Sequence, residues 1–221
     1  MGHWETLMAR DGHEFGAYMS APSGVKRGAV VVLQEIFGVN HHIRAQVDAY
    51  AAEGYLAIAP ALYERIGRNI ETGYDIGERA QARGYMLQIR TPQAIVDISA
   101  AVNVAKHAGH VALLGYGWGG KLAWLAARTL PVRAAVAYYP GAIGEHLDGV
   151  PTCPMLLHFA ARDEHVSAQT VHRVHELCPR CVVHVYEAEH GFNCDERSEW
   201  HAASASLARQ RTLELLAREL G

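Results

Sequence analysis

The stretch that decides the fold is His110-Val111-Ala112-Leu113-Leu114-Gly115-Tyr116-Gly117-Trp118-Gly119-Gly120-Lys121. Its first half is a continuous apolar run of the kind that forms a strand buried on both faces. Its second half opens a helix at Gly119-Gly120 that continues through Leu122, Ala123, Trp124, Leu125 and Ala126 to Thr129. Only a very tight turn can join the two. Gly115 and Gly119 flank the tip of that turn in a Gly-x-Xaa-x-Gly arrangement. There a serine or cysteine at Xaa would be held on a strained backbone as a nucleophile. The tip residue is Gly117. Glycine has no side chain to attack with, so the sequence presents an elbow without a nucleophile.

Upstream of the elbow, residues 3–10 and 13–21 alternate apolar and polar around Asp11-Gly12, a hairpin signal. Gly28 to Gln34 is a second apolar run. Asn40 can cap a helix whose Ile43, Val47, Tyr50 and Ala51 share one face, with Gly54 just past its end. Tyr55 to Leu62 is a buried strand, 64–74 a loop and 75–89 a charge-rich helix. Thr91-Pro92 opens a helix that turns Ile95, Ile98, Val102 and Ala105 inward. Downstream, strands are expected at Val132–Tyr139, Met155–Phe159 and Val182–Tyr186, and helices at Ser167–Leu177 and Ser198–Leu220. Strands alternating with helices define an α/β fold with a mostly parallel sheet covered on both faces. The length of 221 residues suits one domain over 1–221.

In such a sheet ligands sit at the C-terminal strand ends. Glu35, Gly117, Asp163 and His190 all directly follow apolar runs. Tip, acid and histidine come in the order 117, 163, 190, matching the nucleophile–acid–histidine order of one class of hydrolases; Glu164 competes for the acid, and Asp163 is favoured because it is nearer the strand end. The histidine would take the nucleophile's proton, and the acid would hold the imidazole in the right tautomer. Backbone N–H groups of Ile36 and Trp118 are placed to bind an oxyanion. Glu35 stands at the end of a strand too apolar to carry an idle carboxylate. Phe37, Trp118 and Tyr138 are expected to line a small, partly aromatic pocket.

The bulk composition narrows the alternatives. A formal net charge of −3 gives no footprint for nucleic acid. No apolar run approaches the roughly 18 residues of a membrane span. The first 14 residues lack the apolar core of a signal peptide, so a cytoplasmic location is expected. Met1-Gly2-His3-Trp4-Glu5-Thr6 fits a myristoylation pattern but reads better as the first edge strand. Cys153, Cys178, Cys181 and Cys194 do not form a disulfide framework. Cys178-Pro179-Arg180-Cys181 follows a helix, the wrong end for a redox pair, and no second pair completes a zinc site. His41, His42 and His165 lack metal-ligand spacing and are expected at the surface. Gly115-x-Gly117-x-x-Gly120 satisfies a dinucleotide fingerprint in letters. It lies mid-sheet, however, and positions 131–140 offer no acidic residue for a ribose. No cofactor and no metal are expected.

Gln34-Glu35-Ile36-Phe37-Gly38-Val39-Asn40, Gly115-Tyr116-x-Trp118-Gly119-Gly120, Asp163 and Glu189-His190-Gly191-Phe192 together resemble the dienelactone hydrolase (carboxymethylenebutenolidase) family. The resemblance covers almost the whole chain and implies an α/β-hydrolase fold. It also implies a Cys-His-Asp triad with a glutamate that modulates ionisation of the thiol. By position, Asp163 and His190 would be acid and base, Glu35 the modulating glutamate, and Gly117 would stand where the cysteine belongs. Family members that act on dienelactones also grip the substrate carboxylate with arginines. Arg79 and Arg83 are candidates for the first of these, whereas Asn193-Cys194 stands where a second would be expected. The implied partner is a small-molecule ester or lactone, handled by a monomer or small homo-oligomer. Three readings of Gly117 stay open. The chain is a hydrolase that has lost its nucleophile, by nature or by design; an enzyme that uses His190 or Glu35 as general base without a covalent step; or a non-catalytic protein that binds small carboxylates.

Overall fold

Strand β3 (Ala29–Leu33) shows how the core divides in this computed structural model, which describes residues 2–221. All five of its residues are buried, and they alternate in destination. Ala29, Val31 and Leu33 join one apolar cluster, and Val30 and Val32 join another. Side chains of a strand point alternately to opposite faces, so a strand made only of apolar residues needs cover on both. The same split occurs on β5 (Val111–Tyr116), where Leu113 faces one cluster and Ala112 and Leu114 the other. Helices α3 (Thr91–Ala105), α4 (Trp118–Ala126) and α5 (Ala168–Leu177) cover the first face, and α1 (His41–Ala52) and α6 (Ala202–Leu220) the second.

The remaining strands are β1 (His3–Met8), β2 (Glu14–Ser20), β4 (Leu56–Pro60), β6 (Ala134–Tyr138), β7 (Met155–Arg162) and β8 (Val182–Glu189). They form one eight-stranded sheet in the order β1-β2-β4-β3-β5-β6-β7-β8. The β1–β2 hairpin joins antiparallel through β2 and β4, and every pair from β4 to β8 is parallel. The parallel order brings the ends of β3, β5, β7 and β8 to one edge of the sheet.

Helix starts follow local chemistry. Asn40 caps α1 by accepting from Ile43 N, and Gly54 lies just beyond its end with φ 98°. Asp75 and Glu78 form a reciprocal capping box on α2 (Ile76–Gln88). Only Ala82 of α2 is buried, as its charge-rich sequence requires.

Several boundaries differ from the sequence reading. The strands β7 and β8 run past their apolar cores to a pairing of Arg162 with Glu189, across a register shift at Ala160/Arg162. There Arg162, Glu187 and Glu189 interrupt the apolar run while the strand pairing continues, so composition does not mark the end. Helix α6 starts at Ala202 instead of Ser198, and α4 ends at Ala126 instead of Thr129. A short 3₁₀ helix, Leu62–Arg65, occupies the start of the expected 64–74 loop. The start of the chain reads as the expected edge strand from His3, and Met1 of the myristoylation pattern lies outside the described residues. The cysteines are not all free, as Cys178 and Cys181 are joined by a disulfide in the loop between α5 and β8. No helix among the described residues is long and apolar enough to cross a membrane.

Candidate active site

The turn between β5 and α4 is as tight as its glycines demand. A Cβ on Gly115 would lie 2.0 Å from the Gly119 carbonyl oxygen, and one on Gly119 would lie 2.3 Å from the Leu33 oxygen. Neither position tolerates a side chain. Gly117, at the tip, has φ 51° and ψ −114°, a conformation costly for any residue with a side chain. Its N–H donates to Tyr138 O at 3.0 Å and its carbonyl accepts from Lys121 N at 3.2 Å. In contrast to its neighbours, Gly117 has room. A Cβ there would stand 3.7 Å from Glu35 Cγ, Glu35 Oε1 and His190 Nε2, an ordinary van der Waals distance.

Asp163 and His190 meet beside this tip. His190 Nδ1 lies 2.9 Å and 3.0 Å from the two carboxylate oxygens of Asp163, whose side chain is fully buried. Asp163 Oδ1 also accepts from His165 N at 2.8 Å, which fixes the carboxylate from its own loop. The His165 ring stands edge-on to His190 with centroids 4.6 Å apart. His165 itself is half exposed, close to the surface position expected for it.

Glu35 is buried, and its Oε1 accepts from Arg197 at 3.1 Å. Arg197 had no place in the sequence reading, which looked for an arginine at Asn193-Cys194. The loop after β8 turns through 193–201 without becoming helix and delivers Arg197 instead. Its guanidinium also reaches Glu199 at 3.2 Å and lies 5.5 Å over the Phe37 ring. Burial opposes the charge on Arg197, but Glu35, Tyr139 and Glu199 together hold its pKa above the ordinary value. Burial likewise opposes ionisation of Glu199, yet Arg79 and Arg197 keep its carboxyl far below the usual range. No local motif marks Arg197, since its partner is 162 positions away in sequence.

The other candidates separate. Ile36 lies in the segment after β3, and Trp118 directly follows the tip as the first residue of α4. The Ile36 carbonyl accepts from Tyr63 Oη at 2.7 Å, and the Trp118 ring stacks on Tyr63. Trp118 N is in the first turn of α4, where N–H groups have no intrahelical acceptor. Phe37 packs edge-on against Tyr74 at 4.7 Å. Arg79 is taken by Glu199 at 2.5 Å, and Arg83 is exposed on α2 and joins none of the site's hydrogen bonds. Tyr138 does not line a pocket. It is fully buried, and its hydroxyl is 2.7 Å from Thr212 Oγ1. The adjacent Tyr139, equally buried, stands beside His190 instead, with φ 36°, its ring 5.0 Å from His190 and its hydroxyl without a hydrogen-bond partner among the described residues.

Behind Glu35 lie His42, which departs from expectation, and Cys194. His42 is not at the surface; its side chain is 1% exposed. Cys194 is fully buried and donates its thiol proton to Tyr74 Oη at 3.4 Å. Burial, with Glu35 adding, pushes the Cys194 thiol up to about 12.

An eight-stranded, mostly parallel sheet flanked by helices, with a glycine-bounded elbow after its central strand, is the α/β-hydrolase fold. The sequence profile of the dienelactone hydrolase family matches residues 15–220, and the chain belongs to that family. It is 34% identical over 223 residues to a carboxymethylenebutenolidase of Pseudomonas putida, covering 96% of this chain and 94% of the relative. It is 32% identical over 222 residues to carboxymethylenebutenolidase 1 of Cupriavidus pinatubonensis, covering 96% and 94%. A solved structure from Klebsiella pneumoniae, provisionally assigned as a dienelactone hydrolase, superposes with a TM-score of 0.84 at 29% identity, over 98% of both chains.

Proposed function

We propose that the chain, acting as one domain, carries the machinery to hydrolyse small carboxylic esters or lactones by acyl transfer, and that Gly117 occupies the nucleophile position without supplying a nucleophile. The observation that carries this reading is the space at the tip, where a Cβ would stand 3.7 Å from both His190 Nε2 and Glu35 Oε1. A thiol on that carbon would be within reach of a base already oriented by Asp163.

With a cysteine there, His190 takes the thiol proton and the sulfur adds to the substrate carbonyl carbon. The N–H groups of Ile36 and Trp118 hold the resulting oxyanion. Collapse expels the alkoxide, which leaves with the proton from His190, and a thioester remains. Water then attacks the thioester as His190 takes its proton; collapse frees the acid, and His190 passes that proton to the departing thiolate, restoring the thiol. Asp163 keeps the imidazole in the required tautomer. Glu35 borders the sulfur position and Phe37 the substrate side. Tyr138 has no part in this reading, because its hydroxyl is committed to Thr212. Without the thiol, turnover falls by about 10⁴–10⁶-fold.

The test compares this chain with Gly117→Cys on a small activated ester and a lactone panel. The expected result is a gain of roughly 10³-fold or more in kcat/KM. Activity already present in the unmodified chain and abolished by His190→Ala or Glu35→Gln supports the reading in which one of them activates water directly. No gain, with His190→Ala equally silent, overturns the hydrolase reading in favour of a small-carboxylate-binding protein.

A further inference from the structure

The elbow employs Gly117, Asp163 and His190 but leaves unexplained the buried polar cluster behind Glu35. Three elements converge there. Glu35 follows β3, His42 lies in the first turn of α1 and Cys194 in the loop after β8. One carboxylate oxygen, one imidazole nitrogen and the thiol sulfur lie within 4.8 Å of one another, and all three residues are buried.

The imidazole gives the clearest indication. His42 Nδ1 is 3.2 Å from Asp195 Oδ1, so that nitrogen is engaged on the outer side. Nε2 is buried and has no hydrogen-bond partner among the described residues, on a side chain only 1% exposed. A buried, unpaired ring nitrogen costs free energy. A histidine held by a carboxylate on one nitrogen, with the other nitrogen buried and unpartnered among the described residues, matches the arrangement that metal-ligating histidines use. The remaining ligands have capacity to spare. Arg197 occupies Glu35 Oε1 and leaves the second oxygen, and Arg197 has Glu199 as a further carboxylate partner at 3.2 Å. The Cys194 sulfur bonds to Tyr74 Oη and to the backbone of Glu196, contacts that leave a lone pair for an ion.

We infer that Glu35, His42 and Cys194 form a binding site for a borderline-soft divalent transition-metal ion, Zn²⁺ foremost, with Asp195 orienting His42. One sulfur, one nitrogen and one oxygen donor suit Zn²⁺ in a tetrahedral arrangement with its fourth position open. Mg²⁺ and Ca²⁺ prefer all-oxygen shells and are poorly served here. On binding, the ion takes the place of the thiol proton, which leaves to solvent. Glu35 also borders the Gly117 tip. The inference does not depend on the hydrolase reading, because it concerns ion binding and not turnover.

The test is a Co²⁺ titration of the full, chelator-treated chain, followed by optical absorption, with Zn²⁺ as competitor. The expected result is one tight equivalent showing a thiolate-to-cobalt charge-transfer band and intense four-coordinate visible bands, both bleached by Zn²⁺. Cys194→Ser should abolish the charge-transfer band, while Cys153→Ser leaves it intact. Asp195→Asn changes an exposed side chain and should fold normally, and it should weaken Co²⁺ binding by about 10–100-fold. His42→Gln should weaken it further. A charge-transfer band that survives Cys194→Ser, or affinity unchanged in both Asp195→Asn and His42→Gln, overturns the site. So does the absence of any band in the unmodified chain at millimolar Co²⁺.

Discussion

His190 presents Nδ1 to both carboxylate oxygens of Asp163, at 2.9 Å and 3.0 Å, and Nε2 to the space above Gly117. The imidazole is therefore held from the side away from the tip, which leaves Nε2 directed at the space beside Gly117. In the Gly117→Cys background, Asp163→Asn should lower kcat by about 10⁴-fold while KM changes little, because the amide favours the wrong imidazole tautomer. Steady-state kinetics on one activated ester decides this, and a loss confined to KM would assign Asp163 to substrate binding.

The three elbow glycines should respond differently to alanine. Gly115→Ala and Gly119→Ala drive a Cβ to within 2.0 Å and 2.3 Å of backbone oxygens, and should yield little folded protein. Gly117→Ala meets only 3.7 Å contacts and bears just the strain of its backbone conformation, about 1–3 kcal/mol. Urea denaturation of the purified variants gives the ranking, and equal cost at all three positions would contradict it.

The Glu35–Arg197 pair has side chains 4% and 6% exposed, so neither charge can turn to water for solvation. Arg197→Met should destabilise the chain by about 3–5 kcal/mol, because it strands the Glu35 carboxylate. Adding Glu35→Gln should recover part of that loss. A double-mutant cycle by chemical denaturation measures the coupling, and additive losses would mean that the two charges do not interact.

Stability should fall with acid from near neutral pH. His158 is fully buried between Tyr186 Oη and Thr212 Oγ1, and burial, reinforced by the nearby His184 and Arg211, holds its pKa well below the usual histidine value. The unfolded chain therefore takes up a proton below about pH 6.5 that the folded chain refuses. The stabilisation is complete above that pH and declines below it, with a slope of up to about 1.4 kcal/mol per pH unit. Unfolding free energies from pH 7.5 to 5 should show this slope, and His158→Gln should reduce it whatever its effect on absolute stability. An unchanged slope in the variant would locate the proton uptake elsewhere.

How much of this the sequence revealed depends on the range of each interaction. The apolar runs at 29–33 and 111–116 and the glycines at 115 and 119 fix a parallel sheet and its elbow, because strand burial and turn sterics act over a few residues. Asp163 and His190 were legible as candidates because each follows a strand, and in a parallel sheet strand ends share an edge. Tyr138 and Tyr139 were not distinguishable in sequence. They differ by one position at the end of β6, and which of them faces His190 depends on how the chain leaves the strand, here with φ 36° at Tyr139.

The sequence by itself determined the fold, the glycine at the tip and the candidacy of Asp163 and His190, since each is written in local pattern or chain order. Only the tertiary structure decided that Arg197 neutralises Glu35, that His42 is buried with a free ring nitrogen, and that Cys194 completes a cluster with both. Those partners are brought together by the course of the loop between β8 and α6. That course is set by packing and long-range ion pairing, which leave no periodicity in the residues that obey them.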